Sequence, residues 1–408
     1  MHNTPPSNHG LPGRRTVMPT ILLIGYDEHL SLSMAYALRK EPVRLVLLTH
    51  RRDSVARYSR FISKVHWYSG YDETLEAVRR VAQTEQIDLI LPFDEVESVT
   101  ASLLREQLES IAPLVPLTSP RTLEAAIDKG RLYSLLQEAG LNVMPRSRVA
   151  TGRDLETHDG LGMSFPILIK PGRGSYGRGI QEFQDEIELR KHLSRQSTFG
   201  CMLQEYIQGS DITCNVIAEK GRVLVHTIQE SPNKDIGNYN RNDDLRFKQD
   251  GEVLDLVSRV VGVLDWDGVA CFDLHRRASD GRVFLLEING RFWGSLVSSL
   301  DVAGVNFPLF MVRRSLGLPD LQVKSREGEQ YSLHQAVSRF VRGHFKAPLH
   351  TKYRAYLVDP FARIAKYRFF GRFTSLLRKT VLRDPGSAKR PRVNGTGPQQ
   401  FLSPTIHP

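Results

Sequence analysis

Cysteine is scarce in this chain. There are three in 408 residues, Cys201, Cys214 and Cys271, and no two form a CxxC pair. An odd count without close spacing argues against a disulfide framework and against a thiolate zinc site. The strand-like apolar context of each predicts a buried free thiol. Long apolar runs are missing too: the longest, such as Ile21–Ile24 and Leu45–Leu48, are strand-sized, far short of the ~20 residues that span a bilayer. The opening MHNTPPSNHGLPGRRTVMPT has no apolar h-region, so it does not read as a secretory signal. Its Pro, Gly, Asn and His content predicts disorder over residues 1–17, with Met18 as a candidate true start. The cytoplasm is the compartment these absences leave as the expectation. Several catalytic signatures are absent as well. The turn after the first strand reads GYDEHLS rather than GxGxxG, and GK[ST], GxSxG and HExxH do not occur. A dinucleotide fingerprint, a Walker P-loop, a nucleophile elbow and a zinc protease site are therefore unsupported.

Hydrophobic residues make up 40% of the chain and charged residues 25%, ordinary for a globular protein. At roughly 150 residues per domain the length predicts two or three domains. The net charge of +10 is unevenly spread. Residues 331–392 hold fifteen Lys and Arg against two acids, Asp359 and Asp384, so the basic character sits in the C-terminal part.

Residues 20–118 alternate apolar strands (ILLIG, VRLVLLT, IDLILP) with helical stretches over 29–40 and 73–84. That alternation predicts a parallel, doubly wound sheet of Rossmann-like α/β type over 18–118. At Thr118-Ser119-Pro120 a helix opens, with an N-cap hydroxyl and proline in the first turn. Two helical pieces follow up to Gly140. A second module, 119–205, joins this helical hairpin to strands around a Gly-rich loop. A third, 206–320, carries ITCNVIAEK, RVLVHTIQ, a helix over 253–264, GVACFDLHR and VFLLEIN. The latter two modules predict a mostly antiparallel α+β body. A basic extension (321–384) and a disordered tail (385–408) complete the expected organisation.

Five features carry chemistry. In IKPGRGSYGRGI a strand delivers Lys170 to a loop holding Gly172, Gly174, Ser175, Gly177 and Gly179. Glycines let backbone N–H groups approach phosphate oxygens closely, although a flexible hairpin turn has the same composition. In QEYIQGSD a strand ends at Glu205, Tyr206 and Ile207 with Asp211 beyond. Such a linker could border a base, or be a surface turn. Asp273 and Glu287 fall on consecutive strands joined by ASDGR, and Asn289, two residues on, shares a face with Glu287. Two carboxylates and an amide oxygen suit Mg²⁺, and like charges placed side by side otherwise destabilise a sheet. Lys129 sits at a helix end, a solvated residue if taken alone. Arg291 lies just past the acidic strand, in reach of a bidentate contact with an oxyanion.

In this order, Lys129, Lys170 with its Gly-rich loop, QEYI with Asp211, Asp273, and Glu287-x-Asn289-x-Arg291 resemble the ATP-grasp superfamily. The likeness is greatest to the branch containing carboxylate–amine ligases and the large subunit of carbamoyl phosphate synthetase, and it covers residues 20–316. It implies an ATP-grasp fold with a Rossmann-like N-terminal domain, and ATP bound between a lid and a catalytic domain. It implies Lys129 and Lys170 on the phosphates, and the loop from Gly172 to Gly179 closing over them. Glu205, Tyr206 and Ile207 would lie by adenine and Asp211 by the ribose. Asp273, Glu287 and Asn289 would hold Mg²⁺, with Mn²⁺ the alternative ion. Arg291 would act with Lys170 on the transferred phosphoryl or acyl group. One departure is Gly290, where relatives often carry proline.

The resulting expectation is a ligase that activates a small carboxylate as an acyl phosphate and joins it to an amine. A kinase acting on a hydroxyl and a nucleotide-binding module without turnover are the alternatives. The loop 231–244, with Lys234 and Arg241, is the candidate substrate contact. The basic, aromatic segment 331–392 fits a solvated face, an anionic membrane surface (a peripheral location) or an acidic carrier. No nucleic-acid reading motif occurs, and a homodimer is left open.

Overall fold

In a computed structural model, residues 18–149, 163–174, 179–193, 201–231, 244–319, 321–345, 355 and 358–360 are described. The expectations for the two termini, for Ser175 and Gly177, for Lys234 and Arg241, and for most of the basic segment lie outside them.

The first sheet contains β1 (Thr20–Ile24), β2 (Arg44–Thr49), β3 (Lys64–Trp67) and β4 (Leu89–Pro92), all parallel, in the order β3-β2-β1-β4. TILLI is buried at every position, as a strand covered on both faces must be. Helices α1 (Glu28–Leu38), α2 (Thr74–Glu85), α3 (Glu95–Leu103) and α4 (Arg105–Glu109) complete this part. Asp27 caps α1 by accepting from the Leu30 amide at 2.8 Å. β3 is not foreseen by the sequence pattern. KVHW is a partly exposed edge strand, and its Lys and His blunt the edge while hiding the apolar alternation.

Ser119 caps α5 (Pro120–Ile127), and Asp128 caps α6 (Lys129–Glu138) by accepting from two amides. The second sheet, antiparallel throughout, has β5 (Ser147–Val149), β6 (Ile167–Pro171), β7 (Gln181–Phe183) and β8 (Cys201–Glu205) in the order β5-β8-β6-β7. Its small core of Ile167, Ile169, Phe183 and Leu203 is closed by Leu189 and Leu193 of α7 (Glu186–Leu193).

The third sheet comprises β9 (Gly209–Glu219), β10 (Arg222–Glu230), β11 (Leu245–Lys248), β12 (Gly268–Arg277), β13 (Val283–Asn289) and β14 (Gly328–Gln330), in the order β13-β12-β9-β10-β11-β14. Its apolar face packs on α8 (Gly251–Val263) around the fully buried Trp266. Leu123 of α5 and Leu132 and Leu136 of α6 join that same core. The helical hairpin thus shares its core with the third sheet rather than the second. The edge strand β14 comes from beyond residue 320. After β13 the chain turns back to the first sheet: Phe292, Trp293, Leu296 of α9 (Leu296–Asp301), and Phe307 and Phe310 of α10 (Phe307–Ser315) bury against α1 and the parallel strands. Asn306 caps α10 and donates to the Ala37 carbonyl at 2.8 Å. Helix α11 (Leu333–Val341) follows β14, and beyond it Ala355 buries with Tyr36 and Val297.

The three cysteines are unpaired, with Cys214 and Cys271 buried and Cys201 half-buried. Burial raises each thiol above its ordinary range. No helix among the described residues is long and apolar enough to cross a membrane.

Candidate active site

The antiparallel pairing of β12 and β13 sets Asp273 directly opposite Glu287, at a register shift. The tight turn that makes this pairing is closed by the Gly281 amide donating to the Arg277 carbonyl, with Gly281 at φ +76°. Asn289, on the same face as Glu287, donates its amide to Asp273 at 3.2 Å and to Glu287 at 3.4 Å. Thr213 of β9 donates to Asp273 at 3.3 Å. Two carboxylates this close share one electrostatic problem. Burial raises the Asp273 carboxyl well above the usual carboxylate range, and the neighbouring Glu287 adds to the rise. Burial acts on Glu287 in the same sense, but Lys129 overrides it and holds that carboxyl below its ordinary value.

Lys129 is the junction of the site. It is the first residue of α6, where a cation works against the helix dipole, and it is only 8% exposed. Its Nζ lies 2.9 Å from Glu287 Oε2 and donates to the Gly174 carbonyl at 3.0 Å. Its backbone amide donates to the Gly172 carbonyl at 3.0 Å. One residue thus ties the hairpin, the Gly-rich loop and the acidic strand together. The loop stands in left-handed or otherwise glycine-favouring backbone at Gly174 (φ +154°) and Gly179 (φ +77°).

Lys170, near the end of β6, is 6% exposed and donates to Gln204 Oε1 at 2.6 Å. Gln204 donates in turn to Ser147 Oγ at 2.9 Å, and Ser147 donates to the Pro145 carbonyl. This chain fixes where the ammonium points. Burial lowers the Lys170 ammonium to about 8, with Glu287 resisting and Lys129 assisting the fall.

Arg291 donates to the Phe292 carbonyl at 2.8 Å and to Asn289 Oδ1 at 3.5 Å. Gly290 beside it has a steric reason: a Cβ there would lie 2.5 Å from Leu123 and 3.3 Å from Trp266. Asp211 sits across from His275, with Oδ1 2.7 Å from the imidazole Nδ1. At the end of β8, the Glu205 and Tyr206 amides donate to the Arg146 and Pro166 carbonyls, and the Glu205 side chain accepts from the Ser164 amide. Asp273, Glu287, Asn289, Arg291, Lys129 and the Gly172–Gly174 segment therefore form one connected set. The charge of Glu287 reaches Lys170, while Asp211 and Glu205–Ile207 lie further along the strands.

Sequence reasoning misses Gln204, Thr213 and Glu95. Gln204 stands in the flagged QEYI, but only the β6–β8 pairing shows which side chain reaches Lys170. Glu95 opens α3 in the first module, and burial raises its carboxyl while Arg291, Lys129 and Arg173 pull the other way. An acid following an apolar strand is the signal that could have found it. Among the described residues no group of three or more His, Cys, Asp or Glu side chains could hold a metal. The donor set here is two carboxylates and an amide, which fits a hard divalent cation.

The family of ATP-grasp proteins in the biosynthetic pathway with the Ter operon matches residues 198–337. Carbamoyl-phosphate synthase of Methanobrevibacter smithii is 22% identical over 263 residues, covering 61% of this chain and 70% of that one. The large chain of carbamoyl phosphate synthase of Methanosarcina acetivorans is 23% identical over 167 residues, 38% of this chain but 16% of that longer one. L-amino acid ligase from Bacillus licheniformis superposes with a TM-score of 0.60 at 18% identity, over 76% of this chain and 77% of that one. The biotin carboxylase domain of Hydrogenobacter thermophilus 2-oxoglutarate carboxylase, in complex with MgADP, ADP and bicarbonate, superposes with a TM-score of 0.58 at 17% identity, over 76% and 72%. A parallel N-terminal sheet followed in the chain by two antiparallel ones is the fold shared with these ATP-grasp structures, and residues 198–337 match the ATP-grasp family model.

Proposed function

We propose that the chain is an ATP-dependent ligase that activates a carboxylate as an acyl phosphate and joins it to an amine, with release of ADP and phosphate. The observation that carries this reading is the single contact set around Lys129, which links the Gly174 carbonyl to Glu287, opposite Asp273. Phosphoryl transfer needs positioning and charge neutralisation more than covalent help, and this set supplies both. Lys129 and Lys170 would meet the phosphates under the Gly-rich loop. Arg291 would stabilise the charge that develops on the transferred group. Asp273, Glu287 and Asn289 would hold Mg²⁺, which neutralises phosphate charge when bound. The MgADP bound by the biotin carboxylase neighbour supports the choice of nucleotide and ion. The amino acid ligase and the carbamoyl-phosphate synthases support the reaction class.

The test is a coupled ADP-release screen with carboxylates and amines, singly and in pairs. Phosphate release that needs both partners is the expected result. A phosphorylated product made with one partner alone would replace the ligase by a kinase.

A further inference from the structure

Away from the phosphate set, the carboxyl ends of the parallel strands build a second cluster. Tyr26 follows β1, His50 follows β2, Tyr68 follows β3, and Glu97 lies in the first turn of α3 after β4. Tyr71 opens the short helix Tyr71–Glu73. The His50 ring stacks on Tyr26 with centroids 5.3 Å apart and meets Tyr68 and Tyr71 edge-on at 5.7 and 5.2 Å. Glu97 is 2% exposed, and neither of its carboxyl oxygens has a hydrogen-bond partner. The nearest basic atom is His50 Nδ1, 3.8 Å from Oε1 and likewise unpartnered. Tyr26 is 42% exposed, so the cluster opens to solvent on that side.

A buried carboxyl without partners is costly in either protonation state. The neighbours do not relieve it. Burial, with Arg51 adding to it, keeps His50 below its ordinary value, so the imidazole is not a standing counter-charge. Arg51 reaches Asp53 at 3.1 Å and Glu28 at 3.7 Å instead. The second acid, Asp94, accepts from the Tyr26 and Asp27 amides at 2.8 Å and adds repulsion. Burial first, then Asp94, raises the Glu97 carboxyl to about 8. Its own backbone amide, in the first turn of α3, eases the burial only in part, no lysine or arginine pairs with it, and the tyrosine rings gathered around His50 are of a kind that attracts cations. A hard metal ion, which wants about six oxygen ligands, fits this aromatic lining poorly. The place in the fold is where open α/β sheets bind ligands: outside the strand carboxyl ends, beside the β1/β4 switch of strand order.

We propose that Tyr26, His50, Tyr68 and Tyr71 with Glu97 form a cup that binds an organic cation, the ammonium end of a substrate. That this substrate belongs to the ligation reaction rests on the ligase reading; the cup itself does not. Asp94 joins the two regions, because Arg291 of the phosphate set contributes to its electrostatic surroundings.

The experiment is calorimetric titration of the full chain, without nucleotide, with n-butylammonium, tetramethylammonium and the neutral n-butanol. We expect saturable binding of at least one ammonium ion and binding of butanol about tenfold weaker or less. Glu97→Gln, close to isosteric, should weaken ammonium binding about tenfold and leave MgATP affinity within about twofold. Should Glu97→Gln fail to fold, Tyr26→Leu, at a half-open position, should weaken it about threefold. The cup is overturned if no ammonium binds saturably, if butanol binds as well, if the variant that folds binds ammonium unchanged, or if MgATP affinity falls in parallel. Ammonium binding together with a failed two-partner ADP screen would keep the cup and remove the ligase reading alone.

Discussion

Lys129 shows how a single residue can be misread when taken alone. In the sequence it is one cation at a helix end. In the fold it is nearly buried at the wrong end of the helix dipole and paired with Glu287 at 2.9 Å. Lys170 is more legible, because a strand running into a glycine-rich loop is visible in the letters. Its anchor Gln204 is not, since the register of β6 against β8 is a long-range fact. Lys170→Ala and Glu287→Ala should each lower turnover by at least ~100-fold, the scale of losing one preorganised transition-state contact. Wild-type rates in both variants, measured by ADP release, would remove these residues from the site. Gln204→Leu should retain the fold and raise the KM for ATP about tenfold, because the Lys170 ammonium loses its acceptor.

Among the elements, the β12–β13 hairpin follows most directly from local sequence. A five-residue link between two apolar strands permits only a few registers, and the one adopted pairs Asp273 with Glu287. The strands β3 and β11 escape the same reasoning. Each has four residues, and β3 sits at an edge where one face need not be apolar. The end of α2 offers a test of how an element is held. Glu85, 5% exposed, receives Arg44 of β2, Lys64 at 2.7 Å and His66 at 3.0 Å, both of β3. Burial alone would raise its carboxyl, but these three partners lower it from 4.5 to about 2. The unfolded chain therefore binds the extra proton first. The stabilisation is complete above about pH 4.5 and is lost as pH falls toward 2. Allowing for the half-exposed Lys64, the pairing contributes on the order of 2 kcal/mol at pH 7. Glu85→Gln should cost about that much in urea unfolding at neutral pH, and the gap to wild type should shrink by about half between pH 5 and pH 3. A pH-independent gap would contradict the assignment.

For the molecule as a whole, the decisive feature is that the chain returns. Phe292 to Phe310 pack on the first parallel sheet although they follow the last strand of the hairpin. The third sheet also touches the first module through backbone: a Cβ on Gly268 would lie 2.3 Å from the Pro116 carbonyl oxygen, and its φ of +84° favours glycine. Gly268→Ala should therefore destabilise the protein by about 2 kcal/mol or more, read as a lower Tm and an earlier proteolytic cut near Pro116. A Tm within one degree of wild type would show that the contact relaxes freely.

What the sequence determined by itself is whatever rests on local period and on short spacings: the parallel βα alternation, the capped hairpin helices, the glycine loop after Lys170, and three oxygen donors on two adjacent strands. Such features involve residues close in the chain, where backbone geometry leaves few choices. Only the tertiary structure decided that Lys129 meets Glu287, that Gln204 aims Lys170, that the hairpin helices share a core with the third sheet, and that Tyr26, Tyr68 and Tyr71 gather around His50 beside Glu97. Each of these joins segments tens to hundreds of residues apart. Their meeting depends on which apolar faces bury against each other across the whole chain, and no local pattern encodes that.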